Sequence, residues 1–216
     1  MGSQEIQNWS EPLLIKIFGL TRKVREGSER LDRWLSATTN LTNFEEESLQ
    51  RLLRSAIQNL DGWNEEELKM KFIGPLFTLA GFHFEEEDGI QSYYERSISA
   101  LVESHKLSVR PDFMVAKGIL GLPEVPYFHF QEFKREQAAV DPMTQLLLAF
   151  LIAQELSKDD KPFYGAKVVG RLWYFVIMEG KRYHISKAYD ATEEEDLVSI
   201  IAILRAFKRI LKTELL

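Results

Sequence analysis

"RPDFMVAKGILGLPEVPYFHFQEFK", residues 110–134, opens on a proline–aspartate pair and closes on a glutamate and a lysine two positions apart. Within it, "RPDFMVAKG" and "YFHFQEFK" are rich in aromatic and β-branched residues, and "GILGLPEVP" joins them. Each run reads as a strand, and the short Gly/Pro-containing link makes the two strands neighbours. Side chains in a strand alternate faces, so Glu132 and Lys134 project to one side and Phe133 to the other. Asp112 heads the first of these strands. With the strand ends aligned, its carboxylate comes close to the Glu132/Lys134 pair. The charges are either a strand's exit into water or a chemical site.

The flanking segments supply the rest of a domain. Upstream, "NEEELKMKFIGPLFTLAGF" (64–82) has its apolar residues at helical spacing, with Asn64 and Glu67 as a capping box, Pro75 as a kink and Gly81 as a stop. "IQSYYERSISALVES" (90–104) reads as one long extended segment. Downstream, "DPMTQLLLAFLIAQELS" (141–157) is apolar almost all round and so reads as a buried helix. "FYGAKVVG", "RLWYFVIMEG" and "RYHISKAY" read as further strands with glycine turns. A closing helix follows, for which Thr192 and Glu195 have capping-box spacing. From residue 64 the order is α-β-β-β-α-β-β-α, a mixed α/β arrangement. Residues 1–60 read as a helical N-terminal extension and 61–216 as the main domain. The extension contains eight acids and eight bases, so nothing marks it as a nucleic-acid arm.

Composition narrows the chemistry. Of 216 residues, 45% are apolar and 28% charged, enough to bury a sizeable core. No window approaches a membrane span, and no basic-then-apolar leader begins the sequence, so a cytoplasmic location is the expectation. The absence of cysteine excludes disulfides, thiolate nucleophiles and zinc–thiolate sites. A net charge of −6 argues against a general nucleic-acid coating protein. The acidic runs at 45–47, 65–67, 85–88 and 193–196 mostly suit helix starts or solvated faces. The histidines show no metal-ligand spacing, and "GILG" lacks the lysine and hydroxyl of a phosphate-binding loop.

Asp112 and Glu132 are hard oxygen donors of the kind that Mg²⁺ or Mn²⁺ prefers, and the Phe133 carbonyl would be a third ligand within reach. Such an ion assists phosphodiester hydrolysis by lowering the pKa of water and offsetting charge on the phosphate. Lys134 would orient the attacking water or stabilise the transition state. Lys106, Arg110 and Arg135 lie beside the motif as candidate phosphate contacts.

"RPDF", 19 intervening residues from Asp112 to Glu132, and "EFK" resemble the PD-(D/E)xK nuclease superfamily, the restriction-endonuclease-like fold. Its α-β-β-β-α-β core matches the order read above. The stretch "NEEELKMKFIGPLF" is similar to the opening helix of the N-terminal nuclease domain of type I restriction motor subunits. On that match Glu65 takes the place of the helix glutamate supporting the metal site. Gln145 resembles the glutamine of the RecB-like and phage exonuclease branch, although the tyrosine usual four residues on is Ala149 here. The resemblance spans residues 64 to 185. It implies a restriction-endonuclease-like core, a mixed sheet flanked by helices, and a Mg²⁺- or Mn²⁺-dependent nuclease acting on DNA in restriction or repair. The competing expectation is a non-catalytic interaction or scaffold module that keeps the fold. In either case a protein partner or a second copy of the chain would supply specificity.

Overall fold

The computed structural model describes residues 8–26, 28–84, 89–119, 121–134 and 141–216; the acidic run at 85–88 and Arg135 lie outside them. The chain begins with α1 (Glu11–Phe18), β1 (Thr21–Val24), α2 (Glu29–Leu35) and α3 (Asn43–Asn59). α4 (Glu65–Leu68) follows, capped by the reciprocal Asn64/Glu67 box. It passes through a π-helical turn, Lys69–Ile73, into α5 (Gly74–Leu79). Pro75 sits in the first turn of α5, where its missing N–H costs nothing, so the expected kink is taken up by the wide turn before it. Gly81, at φ +60°, ends the helix in the left-handed conformation.

Next come β2 (Ile90–Tyr94), β3 (Ile98–Val102), β4 (His105–Val109), β5 (Phe113–Ile119) and β6 (Leu122–Lys134). They are followed by α6 (Pro142–Ser157), β7 (Phe163–Val169), β8 (Leu172–Glu179), β9 (Arg182–Ile185), β10 (Tyr189–Asp190) and α7 (Glu194–Ile210). The main sheet runs β1-β9-β8-β7-β6-β5-β2, with β10 also on β8. β6 pairs parallel to β7 and β1 parallel to β9; the other pairs are antiparallel. The result is a mixed α/β fold with a large mixed sheet flanked by helices.

Strand alternation sorts the core into two layers. Phe113, Phe133, Tyr164, Ala166, Trp173 and Phe175 join residues of α2, α3, α4, α5 and α7 on one face. Met114, Phe130, Phe163, Val176 and Tyr183 join α1 and α6 on the other. α6 packs against β6 and β7, and also against α1 and the separate β3–β4 hairpin. Enclosure on several sides is why its sequence shows no polar stripe. The sheet comes so close to α6 at Gly165 that a Cβ there would lie 2.7 Å from the Phe130 carbonyl oxygen and 2.8 Å from the Phe150 ring.

A bulge between β5 and β6 sets the faces of the strand that ends in the site. Val115 pairs with His129 but Ala116 pairs with Tyr127, which leaves Phe128 as the extra residue. Beyond it His129, Gln131 and Phe133 face the α7 layer, while Phe130 and Glu132 face the α6 layer.

Three expectations differ from the structure. The segment 90–104 is not one strand: it breaks at Glu95, and its second half turns into the hairpin with β4. Residues 21–24, within a region read as helical throughout, form β1 on the outer side of β9. Thr192 does not cap α7; its hydroxyl donates to Asp190 Oδ1 at 2.6 Å, and Glu193 stands at the N-cap without a side-chain bond.

Candidate active site

The β5–β6 register pairs Phe113 with Gln131, and one step further brings Asp112 opposite Glu132. The two carboxylates therefore sit side by side on the α6 face, at the end of the sheet where β5 begins and β6 finishes. Asp112 Oδ2 accepts the Phe133 backbone N–H at 2.8 Å, which pins the aspartate to the neighbouring strand. Lys134, the last residue of β6, reaches both Glu65 carboxylate oxygens at 3.3 Å and lies 3.8 Å from Asp112 Oδ2. Asp112, Glu132, Lys134 and Glu65, read from three separate stretches of sequence, thus meet at one place.

Glu132 is the most constrained member. It is 0% exposed, and neither carboxylate oxygen has a hydrogen-bond partner among the described residues. An isolated ionised carboxylate in such a place is costly, so the group shifts toward its neutral form. Burial pushes the Glu132 carboxyl well above its usual range, and the nearby Asp112 charge pushes the same way, against Lys134 and Lys69.

Two groups that the sequence pattern did not single out complete the cluster. Lys69 Nζ donates to Asp112 Oδ1 at 2.7 Å, and lies 3.2 Å from Glu65 Oε1 and 3.3 Å from Glu95 Oε1. Burial alone would lower the Lys69 pKa, but the bonds to Asp112 and Glu65 outweigh it and hold the ammonium above its ordinary value. Glu95 occupies the break after β2 at φ +51°, a left-handed conformation rare for a non-glycine residue. The Glu95 N–H donates to the Asp112 carbonyl at 3.2 Å, and Arg110 Nε donates to the Glu95 carbonyl at 3.0 Å. The sequence signal for Lys69 was its i+4 spacing from Glu65, which usually marks no more than a surface helix pair.

The remaining candidates fall further out. Gln145 lies on the first turns of α6, and its Oε1 is buried without a partner among the described residues. Arg110 is engaged by Glu95 through both its guanidinium and the Glu95 backbone. Lys106 is on β4, in the hairpin outside the main sheet. Lys167, not a candidate from the sequence, is in register with Glu132 across β6 and β7, bonds Asp141 at 3.2 Å and stacks over Tyr174 at 5.0 Å.

As arranged, no three carboxylates or imidazoles among the described residues form a ready-made metal cage. The donor set nevertheless fits a hard divalent cation. Glu132 presents two unpartnered buried oxygens, and Asp112, next to it, offers oxygens now held by an amide and an ammonium.

No helix among the described residues is long and apolar enough to cross a membrane. No protein-family model matches the chain, and no curated protein matches it. Solved structures do match, among them a chain of the cryo-electron-microscopy structure of the DrdV–DNA complex, at 18% identity and a TM-score of 0.43. That match covers 76% of this chain, which spans 14% of the length of the other.

Proposed function

We propose that this chain is a metal-dependent nuclease of the PD-(D/E)xK type that hydrolyses phosphodiester bonds in DNA. One observation carries the reading: Glu132 is fully buried with no donor to either oxygen among the described residues, beside Asp112 and near enough to Lys134 and Lys69 to feel their charge. A stability-driven core would place an apolar residue there. A site that takes up a cation keeps the carboxylate.

Asp112 and Glu132 would hold Mg²⁺ or Mn²⁺, with the Phe133 carbonyl as a further ligand and Glu65 in support. When bound, the ion supplies Lewis-acid activation of water and of the phosphate. The chain's own residues do the rest. The Phe133 N–H fixes the Asp112 carboxylate against rotation. Glu65 holds the Lys134 ammonium at the strand end, 3.3 Å away, so that it faces the phosphate's position as a preorganised cation. There it stabilises the negative charge that builds as water oxygen attacks phosphorus and the P–O ester bond breaks. Gln145 would contribute its amide on the α6 side.

A second reading, a non-catalytic interaction module that retains the fold, is favoured by one observation. Lys69 already neutralises Asp112 at 2.7 Å, so the cluster also works as a self-satisfied ion-pair network. Incubation of purified protein with plasmid and single-stranded DNA, in Mg²⁺ or Mn²⁺ and in chelator, separates the two. The nuclease reading expects metal-dependent cleavage that Asp112→Ala and Lys134→Ala abolish. A protein that binds no divalent ion and cuts no nucleic acid is the module.

A further inference from the structure

As it stands, Asp112 shares its carboxylate with a cation that a metal ion must oppose. Its Oδ2 accepts the Phe133 amide, and its Oδ1 accepts the Lys69 ammonium at 2.7 Å. The amide leaves a lone pair on its oxygen and carries no net charge. The ammonium is different. A cation touching Oδ1 repels any divalent ion placed between Asp112 and Glu132.

The surroundings of Lys69 offer it somewhere to go. Glu65 Oε1 at 3.2 Å, one turn back on the same helix, and Glu95 Oε1 at 3.3 Å, from the turn after β2, already share the ammonium. Glu66 Oε1 stands at 3.9 Å. Glu95 owes its place to the left-handed turn after β2, clasped by the Asp112 backbone and by Arg110. Holding a non-glycine residue in that conformation is unfavourable, and it brings a fourth carboxylate to the cluster. The lysine side chain is 17% exposed, so it has open space on one side in which to turn.

We propose that Lys69 is a tethered counter-ion that competes with the divalent ion for Asp112. It neutralises the metal-free cluster and gives up Oδ1 to the entering ion, moving its ammonium onto Glu95 and Glu65. This rests on the nuclease reading of the same site. Lys69 is then a positioning residue that sets metal affinity and, once displaced, lies beside the ion as a cation for the substrate's phosphate.

Mg²⁺ affinity by isothermal titration calorimetry, without DNA, tests this on wild type, Lys69→Met and Lys134→Met. Loss of a nearby positive charge strengthens Mg²⁺ binding in both variants; loss of a competitor adds to this only at Lys69. The expectation is about tenfold or more tighter binding for Lys69→Met than for Lys134→Met. Equal gains overturn the competition and leave the metal site standing. Absence of Mg²⁺ binding in all three overturns both. Should Lys69→Met fail to fold, lysine-labelled wild type decides by nuclear magnetic resonance. A Lys69 ammonium signal that moves and saturates with Mg²⁺ supports displacement, and one unmoved while the Phe133 amide signal saturates refutes it.

Discussion

The Phe133 amide donates to Asp112 Oδ2 across 2.8 Å, joining the residue just before β5 to the penultimate residue of β6. This bond ties the spacing of Asp112 and Glu132 to the backbone ladder. Asp112 therefore has a structural as well as a chemical burden. Asp112→Asn keeps the size and an acceptor oxygen, yet loses the charge that Lys69 and Lys134 face. On the nuclease reading, cleavage falls by about 10²-fold or more while the fold persists. Asp112→Ala also strands a buried N–H and costs about 1–3 kcal/mol in urea unfolding.

The pH dependence of Glu132 has a defined sign. Burial, aided by Asp112, raises its carboxyl above the ordinary 4.5, so the folded chain keeps a proton that the unfolded chain has released. Without metal, that contribution to stability declines as pH rises from 4.5 toward the raised folded value. Glu132→Gln abolishes the decline. In chelator the variant melts higher than wild type at pH 8, and the gap closes toward pH 4.5. Parallel melting curves at every pH would sink the assignment of a neutral buried Glu132.

His129 behaves in the opposite sense. Its ring is fully buried, accepts from Gln131 Nε2 at 2.8 Å through its own Nε2, and packs 4.6 Å from the Phe207 ring. Burial lowers its pKa to about 3. The unfolded chain takes up a proton near 6.5 that the folded chain refuses, so stability drops as pH falls from 6.5 to about 3. Nitrogen-15 spectra of histidine-labelled protein at pH 5 should show His129 neutral, with its proton on Nδ1. A charged ring at that pH is the contrary result.

Gly165 tests the packing of the layer that carries the site. A methyl group there meets the Phe130 carbonyl and, on α6, the Phe150 ring and the Leu146 side chain at 2.7 to 2.9 Å. Gly165→Ala destabilises by about 1–3 kcal/mol, read from the denaturation midpoint. On the metal-site reading, any Mg²⁺ affinity weakens with it, because Phe130 lies two residues before Glu132. An unchanged midpoint would mean that α6 can retreat from the sheet.

Much of this arrangement was legible from the chain alone. Asp112, Glu132 and Lys134 announced themselves because charges at the ends of aromatic strands break the pattern of a buried sheet. Glu65 came only through the resemblance of its helix to a nuclease opening helix, since an acid after the Asn64 cap also suits the helix dipole. Lys69 was not, because an i+4 partner of a helix glutamate looks the same whether it faces water or a carboxylate cluster. Glu95 hid inside an apparently continuous extended run, since nothing in "YYERS" signals a left-handed turn. β1 escaped for a different reason: a four-residue strand at a sheet border pairs through its backbone, and its side chains are mostly exposed. The two-layer core followed from period-2 alternation, except where the bulge at Phe128 reverses it.

The enclosed position of α6 bears on the order in which the molecule is assembled. A helix with apolar residues on every side has no face to leave in water, so it is a poor autonomous unit. The β3–β4 and β5–β6 hairpins are formed from residues close together in sequence and can arise early. α6 must then be captured between them and the sheet in one cooperative step. Within the polar cluster, the bond from Phe133 to Asp112 belongs to the β5–β6 hairpin, whereas β7 pairs with the Glu132 end of β6 only after α6 has crossed over. In nascent chains, the Glu132 end of β6 thus gains its β7 neighbour late, and α6 is the segment most in need of shelter until it does.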